Sequence, residues 1–327
     1  AVAVGEVEAV LARERGEPAL VAYITAGFPQ RDRFQDVLTS VAAAVDLIEV
    51  GVPFTDPMAD GTTIQRSSRA ALEQGVTLKW ILSELTVFSG RSPRPETPLL
   101  LMSYLNPLLA YGIDRLPDDA ARAGVAGFII PDLPFEECDE LRAAFERRGL
   151  ALVQFVTPVT PNERVKLLTE NSSGFIYAVT MTGTTGKNVA VPAEVLEYFD
   201  RVKAISPVPV CAGFGIRSRE QVERLAPHVD GVIVGSALLF SLGYGLMATM
   251  DSLWEFSLYY GILAAAGFGG TTVPLFGSII GNWFERWRGL AVSLALAGSC
   301  LGQFFLVPIF SDMVVVSGWR DTSLWIA

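Results

Sequence analysis

The chain has 327 residues, half of them apolar, with 35 acidic against 25 basic side chains, a formal net charge of −10 and a single histidine, His228. This excludes intrinsic disorder and allows a large core with room beyond one average domain. The acidic balance, with no basic cluster, argues against nucleic-acid binding. One histidine and three scattered cysteines (Cys138, Cys211 and Cys300) give no metal-ligand pattern and poor support for a Ser-His-Asp triad. The first thirty residues lack a signal-peptide core, so the N-terminal part reads as cytoplasmic.

Short β-branched runs recur in the order Ala19–Thr25, Asp46–Val50, Pro98–Met102, Val125–Ile130, Ala151–Phe155, Gly174–Val179, Val208–Cys211 and Gly231–Val234. Segments with helical apolar spacing separate them, as in Glu136–Arg148 and Arg217–Leu225. Eight strands alternating with helices predict an α/β (β/α)8 barrel. A doubly wound open sheet is the competing fold, and no G-x-G-x-x-G turn follows the first strand to favour it.

In such barrels the chemistry sits on the loops that follow the strands. Glu49 lies inside the second strand, between Ile48 and Val50. A barrel strand is covered on both faces, so this carboxylate is expected to be buried or to face the cavity. Burial raises a carboxyl pKa toward the range useful for proton transfer near neutrality. A structural glutamate paired with Arg or Lys is the competing reading. Asp56 and Asp60 follow in the loop, where aspartates beside Pro and Gly are commonly turn-formers.

The late loops are glycine-rich: Met181-Thr-Gly-Thr-Thr-Gly-Lys187, Ala212-Gly-Phe-Gly-Ile216 and Gly235-Ser-Ala237. Glycines after strands seven and eight, with backbone N–H groups at a helix start, make a phosphate cradle. Cys211 reads as a small core residue and His228 as a surface turn residue.

The motifs Ala22-Tyr-Ile-Thr-Ala-Gly27, Ile48-Glu-Val-Gly-Val-Pro-Phe-Thr-Asp-Pro-Met-Ala-Asp-Gly61 with Ile64-Gln65, Met102-Ser-Tyr-Leu-Asn-Pro107, Pro131-Asp-Leu-Pro134, Gly213-Phe-Gly-Ile216 and Val234-Gly-Ser-Ala237 occur in one order and spacing. Over about residues 5–239 they resemble the tryptophan synthase α subunit family. The resemblance implies retro-aldol cleavage of indole-3-glycerol phosphate to indole and glyceraldehyde 3-phosphate. It implies Glu49 as the acid/base and Asp60 as the group that holds the indole N–H. It implies Tyr23, Tyr177 and Phe214 in the substrate pocket, and Thr185 in a loop that closes over substrate. Gly186, Gly213, Gly215, Gly235 and Ser236 match the family's phosphate site. A β subunit is the implied partner, and pyridoxal phosphate belongs to that partner, with no cofactor or metal in this chain. Another phosphate-sugar barrel enzyme remains the alternative. Thr62 stands where the family often has proline, which is expected to loosen the loop. The family's last barrel helix, about thirty residues, is expected to be missing after Leu239, and its loss threatens a domain whose stability is only about 5–15 kcal/mol.

Residues 1–239 carry 30 acidic and 22 basic side chains, whereas residues 240–327 carry only five and three. Within the latter, Phe256–Phe284 is 29 residues without a charge and Gly289–Ser311 another 23. Runs of about 20 such residues are long enough to span a bilayer. The motifs Tyr260-Gly261, Asn282-Trp-Phe-Glu-Arg-Trp-Arg-Gly-Leu-Ala291, Ala297-Gly-Ser-Cys-Leu-Gly302 and Ser317-Gly-Trp-Arg320 resemble a major facilitator, monocarboxylate-transporter-like protein. The expected organisation is therefore a barrel over 1–239 and a partial all-α membrane region over 240–327. That region would hold two complete spans, about 256–282 and 289–314, and the start of a third. Two spans cannot build the two-halved path of such a transporter, so no transport is expected. Arg286 and Arg288 make their loop cytoplasmic by the positive-inside rule, which would leave the barrel on the outer side. A joining of two gene fragments explains both truncations.

Overall fold

The computed structural model describes residues 2–12, 17–58, 60–93, 95–180, 191–213, 216, 218–235 and 313, with only the backbone at 2, 3 and 62. Eight parallel strands form a closed barrel in sequence order: β1 (Ala19–Thr25), β2 (Leu47–Gly51), β3 (Leu99–Met102), β4 (Val125–Ile129), β5 (Ala151–Val156), β6 (Ile176–Val179), β7 (Val210–Gly213) and β8 (Gly231–Val234). Strand β8 pairs with β1, Val21 opposite Ile233, so no sheet edge is left open. The expected barrel is present. The missing last helix, the spans near 256–282 and 289–314 and the start of a third fall outside the described residues. Among the described residues no helix is long and apolar enough to cross a membrane.

Helix α1 (Val2–Leu11) precedes the barrel and seals its N-terminal end, with Val7 and Leu11 in the same buried cluster as Val21, Leu47 and Leu100. The outer helices follow the 3.6-residue period. In α2 (Phe34–Ala42) the buried residues are Phe34, Val37, Leu38 and Val41, the i, i+3, i+4, i+7 stripe of a helix lying on a sheet. Helix α3 (Thr62–Glu73) starts at Thr62 itself, so the residue that replaces proline occupies the first helical position, where proline's fixed φ is favourable. Helix α4 (Leu78–Ser89) is capped by Thr77, which accepts from the Trp80 N–H at 3.2 Å. Four further helices, α5 (Leu105–Tyr111), α6 (Leu116–Arg122), α7 (Asp139–Glu146) and α8 (Asn162–Glu170), cover β3 to β5. The last two, α9 (Ala193–Ile205) and α10 (Arg219–Leu225), complete the described ring.

Several boundaries differ from expectation, three of them for a plain local reason. The sixth strand starts at Ile176, because Gly174 has φ +85° and cannot lie in an extended strand. The seventh starts at Val210 and runs to Gly213, because Pro209 has no N–H to donate to the ladder. The helix expected over Glu136–Arg148 breaks into a 3-10 turn, Phe135–Glu137, and α7. The buried Cys138 is the joint between them.

Cys211 is wholly buried in the barrel core, as expected. His228 sits in a turn, and its Nδ1 lies 2.6 Å from an Asp200 carboxylate oxygen on α9.

Candidate active site

The C-terminal ends of β1, β2 and β3 bring together Tyr23, Glu49, Asp60 and Tyr104. Glu49 sits in the middle of β2, opposite Tyr23 of β1 and Leu100 of β3. Its side chain is wholly buried, and neither carboxylate oxygen has a hydrogen-bond partner among the described residues. The structural reading, a glutamate neutralised by Arg or Lys, is therefore not what β2 presents. Burial alone pushes the Glu49 pKa up to about 8. At neutral pH the group is mostly protonated and carries a proton it can give away.

Asp60 follows β2 in the loop that leads into α3. Burial lifts its pKa to about 6, and a hydrogen bond from the Tyr104 hydroxyl pulls the other way by stabilising the carboxylate. The loop is tied to the helix that follows it. Gln65 Nε2 on α3 donates to the Asp60 carbonyl at 2.9 Å and reaches the Pro57 carbonyl at 3.5 Å. Asp56, by contrast, is turned to its neighbour, accepting from Thr55 Oγ1 at 2.5 Å in an exposed turn. Tyr23, Asp60, Met102, Tyr104 and Pro131 line one small cleft at this end of the barrel.

Two tyrosines complete the inner wall, each lying over a glycine in a neighbouring strand. The Tyr23 ring crosses the face of Gly51, where a methyl group would stand 2.5 Å from Cζ. Tyr177 lies over Gly213 in the same way, with 2.5 Å from a built Cβ to Cζ. Tyr177 also stacks on Phe155, ring centroids 4.8 Å apart. It is the second residue of β6. Burial raises the pKa of both phenols well above the usual range, so both stay neutral.

Gly213 and Gly235 stand at the ends of the paired strands β7 and β8. A Cβ at Gly235 would only touch Tyr23 at 3.5 Å, so space does not demand glycine there. Phe214, Thr185, Gly186, Gly215 and Ser236 lie outside the described residues. Among the described residues, no group of three or more His, Cys, Asp or Glu side chains is gathered for a metal ion. Tyr104 and Gln65 were carried in the sequence motifs without a role. The place of Tyr104, two residues past the end of β3, was the available signal.

The family model described as tryptophan synthase alpha chain matches residues 10–255. The chain belongs to the tryptophan synthase α chain family. The match runs past Leu239, where the resemblance read from motifs ends. A tryptophan synthase alpha chain of Nitratidesulfovibrio vulgaris is 46% identical over 235 residues, 72% of this chain and 90% of the relative. Its counterpart from Carboxydothermus hydrogenoformans is 44% identical over 228 residues, 69% of this chain and 84% of the relative. A solved chain of tryptophan synthase from M. tuberculosis superposes with a TM-score of 0.66 at 33% identity, covering 81% of this chain and 98% of that one. As a tryptophan synthase α chain, the protein is a carbon–carbon lyase that acts on indole-3-glycerol phosphate in tryptophan biosynthesis. The family carries no cofactor of its own, and pyridoxal phosphate belongs to the β subunit. This family membership displaces the alternative of another phosphate-sugar barrel enzyme.

Proposed function

We propose that Glu49 is the acid/base of the cleavage and Asp60 the group that holds the indole N–H. The observation that carries this reading is the burial of a protonated carboxyl at Glu49, without a hydrogen-bond partner among the described residues, beside a second carboxyl, Asp60, whose pKa is lower. Two carboxyls in different environments divide the work. Glu49 gives its proton to the indole C3 carbon. Positive charge then develops on the ring nitrogen, where the Asp60 carboxylate stabilises it through the N–H. The bond from C3 to the glycerol carbon breaks, and its electron pair returns to the ring. Glu49, now a carboxylate, takes the proton of the adjacent glycerol hydroxyl as that carbon becomes an aldehyde. The group ends as it began, so the proton balance closes within one side chain.

Tyr23, Tyr177 and Phe214 line the ring pocket in this reading, and Thr185 belongs to the closing loop. Gly186, Gly213, Gly215, Gly235 and Ser236 hold the phosphate. A β subunit is the proposed partner that receives the indole. A solved tryptophan synthase complex from Pyrococcus furiosus, 30% identical at TM-score 0.63, supports that pairing. The barrel would work in the cytoplasm. For residues 240–327 the membrane-type reading, a transporter-like fragment without transport of its own, is supported by composition alone. The family match that extends to residue 255 overlaps the first residues of that region.

Asp60→Asn tests the division of labour. The amide keeps the shape and loses the charge, so indole release is expected to fall by at least about a hundredfold. Release within a few-fold of the unaltered chain would remove Asp60 from the chemistry.

The Tyr104 bond gives a second expected result. Tyr104→Phe removes a donor to the Asp60 carboxylate, so the Asp60 pKa rises further above about 6. The acidic limb of kcat/KM for indole release should then move to higher pH, with activity at pH 6.5 falling more than at pH 8. An unshifted limb would show that Tyr104 does not bear on the charge of Asp60.

A further inference from the structure

Tyr104 is anchored from another loop. Strand β3 ends at Met102, and the ladder to its neighbours runs on past it. The Ser103 N–H donates to the Ile129 carbonyl of β4 at 3.0 Å, and the Val52 N–H donates to the Met102 carbonyl at 2.8 Å. Tyr104 then turns the chain into α5, with extended backbone at φ −69° and ψ 158°, and its side chain gives that helix no cap. The N–H of Leu105, the first residue of α5, is one of the donors a helix leaves without an internal partner. Asp132 Oδ1 accepts it at 2.8 Å. Asp132 stands in the loop after β4, in a turn closed by the Leu133 N–H on the Ile130 carbonyl at 3.3 Å, with Pro131 at its second position. A carboxylate held in a proline-braced turn thus fixes the peptide that follows Tyr104.

That peptide decides where the phenol goes. Tyr104 is buried, its carbonyl accepts from Ser103 Oγ at 2.9 Å, and its ring lies against Phe54 of the β2 loop, centroids 5.4 Å apart. Its hydroxyl donates to the Asp60 carboxylate in the cleft that both residues line. We propose, resting on the lyase reading above, that Asp132 is a positioning residue: by accepting the Leu105 N–H it fixes where the chain leaves β3 and holds the Tyr104 hydroxyl on Asp60. Asp132 touches neither the substrate nor the reacting atoms in this account and acts through Tyr104. Its charge and its anchoring would bear on Asp60 with opposite signs. Removing a nearby anion makes a carboxyl easier to ionise, whereas releasing Tyr104 takes a donor from the Asp60 carboxylate and makes ionisation harder. Tyr23 on β1 and Tyr177 on β6 also feel the Asp60 charge, and burial keeps both neutral. Glu49 on β2 holds its proton up to about 8, so it stays neutral through the acidic range in which Asp60 titrates.

The test is the pH profile of kcat/KM for indole release from indole-3-glycerol phosphate by the full chain, with Asp132→Ala, Asp132→Asn, Tyr104→Phe and the Asp132→Ala/Tyr104→Phe pair. Asp132→Ala is expected to move the acidic limb up by about 0.5–1 in pH, the direction expected of Tyr104→Phe. Asp132→Asn should leave the limb in place, because its amide oxygen still accepts the Leu105 N–H. In the Tyr104→Phe background Asp132→Ala should add nothing, because no phenol proton remains to aim. If the alanine variant does not fold, Asp132→Ser, whose side chain is one atom shorter than the carboxylate, carries the same expectation. A limb that stays in place while the melting temperature falls overturns the proposal, since Asp132 would then only cap α5. A downward move in both Asp132→Ala and Asp132→Asn overturns it too, since the charge would then act on Asp60 directly. So does an equal upward move in the Tyr104→Phe background. The lyase reading is judged separately, on whether the unaltered chain releases indole and Glu49→Gln abolishes it.

Discussion

Replacing Glu49 with glutamine is expected to cut indole release by about 10²–10⁴-fold while changing how folding stability depends on pH. An unfolded glutamate loses its proton near pH 4.5, whereas buried Glu49 holds its proton up to about 8. Between those values the folded state binds more protons than the unfolded state. The slope of unfolding free energy with pH is therefore negative, and stability contributed by the protonated group falls as pH rises from about 4.5 to 8. Glutamine has no such slope. The cost of burying its amide is the same at every pH, so the comparison isolates the carboxyl. Relative to the unaltered chain, Glu49→Gln should gain on the order of 4 kcal/mol between pH 4 and pH 8.5. Thermal melts at the two pH values read this directly: the variant-minus-parent Tm difference should grow by roughly 10 °C. Parallel melting curves across that range would mean that Glu49 is already ionised in the folded protein at neutral pH. The proton-donating role would then have no basis. Loss of activity with a gain in stability at high pH is the signature of a group whose burial serves chemistry rather than folding.

The second large effect is expected from one methyl group at Gly51. The position lies in the fully buried strand β2, paired with Thr25 of β1. An added Cβ would meet the Tyr23 ring at 2.5 Å from Cζ and 2.7 Å from Cε2, closer than any real contact of that kind. A tyrosine ring flanked by strands cannot give way as the tip of a lysine would. Gly51→Ala should therefore destabilise by about 1–3 kcal/mol, the usual cost of overpacking a core. It should also push the Tyr23 ring from its place in the site. A compensating variant separates the two effects. Gly51→Ala with Tyr23→Leu should recover most of the stability in urea titration, because the clash is gone. Its KM for indole-3-glycerol phosphate should stay raised, because the ring that lined the pocket is gone too. If Gly51→Ala alone melts with the parent and keeps its KM, the close approach of ring to glycine does not hold in solution.

Much of this architecture is legible in the residues. The eight apolar runs, their spacing and the helical periods between them suffice for the barrel, because each strand is buried on both faces and each helix on one. The burial of Glu49 is legible for the same reason, since Ile48 and Val50 on either side make its strand a core strand. What could not be read depends on contacts between distant segments. The close approaches of Tyr23 to Gly51 and of Tyr177 to Gly213 follow from the register of adjacent strands. Alternation within one strand does not reveal it. The Thr25–Ser67 bond joins residues 42 apart, and neither residue type announces it. The Tyr104 bond to Asp60 is a third case, set by how the β2 loop folds back over the end of β3. Two of the boundaries that shifted were decided by single residues, a proline without an N–H at 209 and a left-handed glycine at 174. Both signals stand in the sequence, and both were outweighed there by the apolar run around them.

In the proposed mechanism one buried, protonated carboxyl drives carbon–carbon cleavage at this end of the barrel. The most direct measurement is the appearance of indole from indole-3-glycerol phosphate with the full chain and its Glu49→Gln variant, each with and without an added tryptophan synthase β subunit. Indole is expected from the parent chain, faster with the β subunit present, with a loss of at least about a hundredfold in the variant under both conditions. Indole released by the variant at a rate within a few-fold of the parent would contradict it, as would a folded parent chain that releases none.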